Sequence, residues 1–148
     1  MTMELRELYQ EIIMDHNKNP RNHRVMVNPS CEAKGFNPLC GDKLTVYLQL
    51  KNNQISDISF IGCGCAISQA SASLMTDAVM NKTIPEAHEL FYRFHKMVTC
   101  DTHQETQLDK LTVLAGVRLF PARVKCATLA WHTLECALKQ EESMVTTE

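Results

Sequence analysis

The order of patterns along this chain predicts an α+β fold, with helices packed on one face of a small antiparallel β-sheet. Two stretches of strand-like alternation stand together between residues 43 and 61, and nearly every later segment carries helical spacing. The 148 residues are 45% apolar and 22% charged, which places the chain among globular proteins with a real core. Residues 1–148 read as one domain, with 142–148 as a frayed tail.

The elements follow in order. Leu5, Leu8, Tyr9, Ile12 and Ile13 recur at helical spacing, which predicts an amphipathic helix ending near Asn17, ahead of Asn19-Pro20. Pro20, Pro29, Gly35, Pro38 and Gly41 make residues 17–41 mostly loop, with room for short extended pieces. Leu44, Val46, Leu48 and Leu50 alternate with Lys43, Thr45, Tyr47 and Gln49, the pattern of a half-buried strand. Asn52-Asn53 suits a tight turn, because Asn tolerates positive φ. Gln54 to Ile61 returns as the partner strand and runs into Gly62-Cys63-Gly64-Cys65.

Helical spacing resumes at Ala66. Ala66, Ala70, Ser73 and Asp77 keep one side of that helix small, so it can approach a sheet closely. Thr83 is a capping residue, and Pro85 is tolerated in a first turn, so a helix should run from about Pro85 to Met97. Val98 to Gln104 reads as a connection. A shorter helix is expected over Gln107 to Ala115, ending at Gly116. Pro121 opens the last helix, expected to reach about Glu141.

Composition narrows the function. The formal net charge of -2 gives no electrostatic case for nucleic acid or an anionic membrane. No apolar run approaches a membrane span, and Met1 to Arg6 does not read as a signal peptide. A cytoplasmic location is expected, where thiols stay reduced. Seven cysteines in that compartment point to metal or sulfur chemistry more than to disulfides.

Three of them stand out. Cys40 lies in Asn37-Pro38-Leu39-Cys40-Gly41-Asp42, Cys65 in Gly62-Cys63-Gly64-Cys65-Ala66, and Cys126 in Arg123-Val124-Lys125-Cys126-Ala127. With Asp42 they make three thiolates and one carboxylate, a tetrahedral set suited to Zn²⁺ or iron. Cys65 and Cys126 fall at helix starts, where the positive helix end favours a thiolate. Gly41, Gly62 and Gly64 let the backbone come close to an ion. Asp42 puts a hard oxygen in a soft sulfur set, which suggests an exchangeable site. A structural zinc that merely ties loops together needs the same residues.

Other candidates read as ordinary structure. Cys63 and Cys65 could form a redox couple, but loop packing suits Cys63 better. Cys100-Asp101-Thr102-His103 is only half of a metal site. Cys31 reads as a bystander in the loop before the site, and Cys136 as core. His16 and His23 read as surface or helix-end residues, His132 as packing, and Met75, Met80 and Met97 as core filler. Lys18, Arg21, His23 and Arg24 form a mild basic cluster on a solvated loop. Arg123 has two readings: an exposed helix-start arginine, or an ion pair with Asp42 when that carboxylate is off the metal.

These motifs together resemble the IscU and NifU N-terminal family of iron–sulfur cluster assembly proteins. The resemblance rests on Asn37-Pro38-x-Cys40-Gly41-Asp42, Gly62-x-Gly64-Cys65-Ala66-Ile67-Ser68 and Arg123-Val124-Lys125-Cys126-Ala127-Thr128-Leu129. It extends to Leu8-Tyr9-x-x-Ile12-Ile13-Met14-Asp15-His16 and Pro20-Arg21-Asn22, in order and over nearly the whole chain. Within the family the chain is most similar to the SufU branch of Gram-positive bacteria. Lys125 stands where the IscU branch has His, and the interval from Cys65 to Cys126 carries an insertion around Phe91 to Gln107. The chaperone-recognition stretch of the IscU branch has a double proline; here it is Leu119-Phe120-Pro121-Ala122-Arg123-Val124-Lys125.

The resemblance implies zinc on Cys40, Asp42, Cys65 and Cys126. It also implies a SufS-type pyridoxal-phosphate cysteine desulfurase as partner, with Cys40 as persulfide acceptor. Downstream iron–sulfur scaffold proteins would receive the sulfur. Three functions stay open: a zinc-dependent sulfur relay, a scaffold for a labile [2Fe–2S] cluster on the same residues, and a structural zinc module. Lys125 in place of His favours relay over scaffold, and Asp42 disfavours the purely structural reading.

Overall fold

Asn52 and Asn53 turn the chain with φ of 53° and 64°, the left-handed conformation that matches strand twist in a two-residue hairpin. The computed structural model describes residues 3–99, 108–139 and 145–146. In it the turn joins β2 (Asp42–Lys51) to β3 (Gln54–Cys63), paired antiparallel from Lys51↔Gln54 to Lys43↔Cys63. A register irregularity falls at Gln49/Leu50. Leu44, Val46 and Leu48 face the core as expected, with Ile58 and Phe60 beside them on β3.

A third strand, β1 (Cys31–Asn37), pairs antiparallel with β2 from Cys31↔Leu48 to Asn37↔Asp42. The sequence reading expected mostly loop here. The cause is visible in the residues that face the core: Ala33, Gly35 and Asn37 are small or polar, so no hydrophobic alternation announces a strand. They are small because a helix lies close. A Cβ on Gly35 would collide with Thr133 Oγ1 and press on Leu129 of the last helix. Val145–Thr146 (β4), part of the expected frayed tail, pairs parallel with Gly35 and Phe36, giving the order β3-β2-β1-β4.

The helices are α1 (Met3–Lys18), α2 (Ala66–Val79), α3 (Ile84–Thr99) and α4 (Pro121–Leu138). They form the layer over the core face of the sheet. The α3 start is a reciprocal capping box. Thr83 Oγ1 accepts the Glu86 N–H at 3.2 Å, and Glu86 Oε1 accepts the Thr83 N–H at 3.0 Å. Trp131 of α4 stacks on Phe94 of α3 with ring centroids 4.6 Å apart, and both side chains are fully buried. Full burial of each large side chain stabilises the fold by about 1.5–3 kcal/mol.

Two expected helix ends differ. The segment expected as a helix over Gln107 to Ala115 is a 3₁₀ helix, Asp109–Leu119, which continues past Gly116. Leu108, Leu111, Leu114 and Val117 are all buried. That three-residue spacing keeps one face inward at three residues per turn. Helix α4 stops at Leu138, short of Glu141.

His16 lies in the last turn of α1, the helix-end position expected, but not at the surface. It is 2% exposed, and its Nδ1 lies 2.7 Å from Ser73 Oγ, which also accepts the Arg21 N–H at 2.8 Å. The pair ties α1 and the turn after it to α2. Burial, followed by the nearby Arg21 charge, holds His16 below its ordinary value of 6.5. The native fold therefore favours the neutral ring. That stability is fully present above pH 6.5 and is lost as pH falls from there through the lowered native value. Urea midpoints measured from about pH 8 to about pH 5 should fall less for His16→Gln than for the native chain. Parallel curves would show that His16 is not held neutral.

Candidate metal centre

The register Asn37↔Asp42 closes β1 and β2 through Pro38, Leu39, Cys40 and Gly41. Gly41 has φ of 71°, which favours glycine. Because Asp42 shares the phase of Leu44, Val46 and Leu48, its carboxylate points to the core face and is 0% exposed. Cys40, at the hairpin tip, stays exposed.

An ionised carboxylate so placed needs donors. The Cys65 N–H donates to Asp42 Oδ1 at 2.8 Å, and Asn37 Nδ2 donates to Oδ2 at 3.1 Å. The first bond requires the chain before α2 to lie against Asp42. A Cβ on Gly64 would stand 2.5 Å from Asp42 Oδ1. The Cys65 sulfur caps α2 by accepting the Ser68 N–H at 3.4 Å.

Cys126, in the second turn of α4, is fully buried. Its thiol donates to Cys40 Sγ at 3.2 Å, and its sulfur accepts from Asn37 Nδ2 at 3.4 Å. Ser71 Oγ donates to the Ala127 carbonyl at 2.5 Å, locking α2 to α4 one residue past Cys126. Burial, then the hydrogen bonds with Cys40, Asp42 and Cys65, pushes the Cys126 thiol well up. Without a cation this sulfur keeps its proton.

Among the described residues, the ligand atoms of Cys40, Asp42 and Cys126 lie within 4.8 Å of one another. Cys65 stands beside this trio, outside that tight grouping, with its N–H on Asp42 and its thiol near Cys126. Arg123 is exposed, and its surroundings at Cys65 first, then Cys126 and Cys40, raise its already high value. No Arg123–Asp42 ion pair occurs among the described residues, so the sulfurs, not the carboxylate, hold this arginine. The donor set fits a thiophilic cation: a buried carboxylate and thiols converge where a positive charge would offset them.

Several other residues stand apart. Cys63 is exposed and pairs across the strands with Lys43, on the far side from Asp42. Cys31 is a half-buried β1 residue packed on the core rather than a loop bystander, and burial raises its thiol. Cys136 is in the core, as are Met75 and Met97. His132 packs edge-on against Phe91 and His95, and exposed His23 lies edge-on to Phe60. Arg21 and Arg24 pair with Asp15 and Asp57, each at 2.7 Å. Cys100, Asp101 and His103 lie outside the described residues. Asn37 and Ser71 are the site neighbours to which the sequence reading gave no role. Asn37 stood inside a quoted motif, but its place opposite Asp42 needs β1 to be known.

Residues 8–147 match the model of the NifU-like N-terminal domain, and the chain belongs to that family. It is similar to the zinc-dependent sulfurtransferase SufU of Bacillus subtilis strain 168, 42% identical over 136 residues, covering 91% of this chain and 92% of that one. It is 41% identical over 138 residues to the iron–sulfur cluster assembly scaffold protein IscU of Streptococcus pyogenes serotype M1, covering 92% and 86%. The crystal structure of the SUF-system protein FiSufU from Fervidobacterium islandicum AW-1 superposes with a TM-score of 0.83 at 37% identity, over 89% of this chain and 97% of that one.

The Gly64 contact makes a direct test. Gly64→Ala should force Asp42 off the Cys65 N–H and lower stability by roughly 1–3 kcal/mol, the cost of an unsatisfied buried polar group. A urea melt of the variant measures it, and an unchanged midpoint would show that the close approach is not needed.

Proposed function

We propose that this chain serves iron–sulfur cluster assembly as a zinc-dependent sulfur acceptor for a SufS-type, pyridoxal-phosphate-dependent cysteine desulfurase. The proposed ligands are Cys40, Asp42, Cys65 and Cys126. Bound there, zinc would supply a positive charge that keeps the thiolates deprotonated and masked. The observation that carries the reading is the contrast within the cluster. Cys40 is exposed at a hairpin tip, while Asp42 and Cys126 beside it are buried. Of the three proposed cysteine ligands Cys40 is the most exposed, with Cys65 half-buried and Cys126 buried, so it is the one best placed to meet a partner's persulfide.

In the transfer, the Cys40 thiolate attacks the outer sulfur of the desulfurase persulfide. A new S–S bond forms at Cys40, the donor's S–S bond breaks, and the donor leaves as a thiolate. No external oxidant or reductant is required. The exposed Arg123 guanidinium, facing the three sulfurs, offsets negative charge during the approach. Downstream iron–sulfur scaffold proteins would take the sulfur from Cys40. No described helix is long and apolar enough to cross a membrane. We place the reaction in the cytoplasm, where thiols stay reduced.

A second reading treats a labile [2Fe–2S] cluster as cargo assembled on the same residues. It is favoured by the 41% identity to a relative named as a scaffold. Lys125, next to Cys126, removes one ligand candidate and weighs against it. Metal analysis of protein purified without added metal separates the two. One zinc per chain supports relay, and iron with acid-labile sulfide supports scaffold.

Two outcomes are expected. Removing zinc with a chelator should lower the melting temperature by roughly 8–16 °C, as for a ligand present at about a thousand times its Kd. Equal melting with and without chelator would argue against a resident metal. Cys40→Ala should abolish stimulation of the desulfurase, read as alanine released from cysteine. Cys31→Ala, Cys63→Ala and Cys100→Ala should leave it nearly intact. Persulfide found by mass spectrometry on Cys63 or Cys100, with Cys40→Ala still stimulating, would reassign the acceptor.

A further inference from the structure

Asn37 is 0% exposed, and its side-chain hydrogen bonds go to Asp42, Cys126 and the turn that follows it. Its Oδ1 accepts the Leu39 N–H at 3.3 Å, which orients the carboxamide. The amide nitrogen then faces inward. It donates to Asp42 Oδ2 at 3.1 Å and to Cys126 Sγ at 3.4 Å. A single side chain on β1 thus joins an oxygen on β2 to a sulfur on α4, 89 residues from Asn37 in sequence.

The four proposed ligands differ in this respect. Asp42 receives two N–H donors, the Cys65 sulfur accepts from Ser68, and the Cys126 sulfur accepts from Asn37 and lies against the Arg123 guanidinium. Among the described residues no N–H reaches the Cys40 sulfur, whose contact is the Cys126 thiol. An N–H donor draws charge from a thiolate and restrains its direction. We infer that Asn37 is a positioning residue of the metal centre, clamping Asp42 and Cys126 in place so that Cys40 is the ligand that exchanges. This rests on the metal reading proposed above. It adds the structural reason why one of three cysteines is selected to leave.

The test begins with cobalt(II) bound to the native chain. One cobalt per chain, with thiolate-to-cobalt charge-transfer and tetrahedral d–d absorption, establishes the metal reading. Its absence overturns that reading and the role of Asn37 with it. Given that signal, Asn37→Ala and the isosteric Asn37→Asp should still take up one cobalt. Their affinity should be about 10–100-fold weaker and their d–d bands shifted. In the metal-loaded native chain iodoacetamide should modify Cys40 before Cys126, and in both variants Cys126 should lose that protection. A variant that keeps the native bands and the native order of modification would overturn the clamp while leaving the metal reading intact. If both variants fail to fold, the native chain loaded with ¹¹³Cd decides. Scalar coupling from the Asn37 side-chain amide proton to cadmium through the Cys126 sulfur supports the clamp, and its absence overturns it.

Discussion

A carboxylate buried at the end of a sheet is the constraint around which this molecule is arranged. Asp42 is fully excluded from solvent, and an ionised group in that position must be given donors or a cation. It takes the N–H of Cys65 and the amide of Asn37. Each bond places a demand on the chain around it. The first requires the backbone before α2 to approach without a side chain at Gly64. The second requires β1 to end opposite β2 in the register that sets Asn37 against Asp42.

The helix layer supplies the remaining side of the site. Helix α4 lies close enough to β1 that Gly35 has no room for a methyl group, and this brings Cys126 down to the hairpin. Ser71 fixes α2 to the Ala127 carbonyl, and His16 with Ser73 fixes α1 to α2. Small and polar residues at these crossings therefore decide distances within the candidate site. Large apolar residues such as Phe94 and Trp131 hold the helices together farther along.

The site is asymmetric by construction. Asp42 and Cys126 are buried on regular elements, half-buried Cys65 caps α2, and exposed Cys40 stands on a turn. A centre meant only to tie segments together would gain from restraining every ligand equally. Restraint on all but one suits a centre that must open on one side. Exposed Leu39, next to Cys40, and exposed Leu119 and Phe120, just before α4, give the same region an apolar rim. The nearby guanidinium of Arg123 adds a positive charge at the open side.

Period, turn chemistry and residue type depend on neighbours a few positions apart, so they could be read directly. The β2–β3 hairpin, the Asn52-Asn53 turn, the Thr83 cap and the helix that opens at Pro121 belong to this class. So do Cys40, Asp42, Cys65 and Cys126 as the residues with chemistry to offer. Strand β1 could not be read, because its core positions are small to admit α4, and smallness carries no period. Local spacing shows a helix after Gln107 but not that it is a 3₁₀ helix, since a spacing of three or four residues fits both kinds until packing chooses. His16 is at the helix end as expected, but its burial could not be read, because only the α1–α2 contact encloses it. Sequence determined which atoms could ligate. Tertiary structure alone decided that Asp42 is buried, that Arg123 faces sulfur, that Cys65 stands just outside the tight trio and that Asn37 touches both Asp42 and Cys126. Those relations join residues up to 89 positions apart, and local pattern holds no record of them.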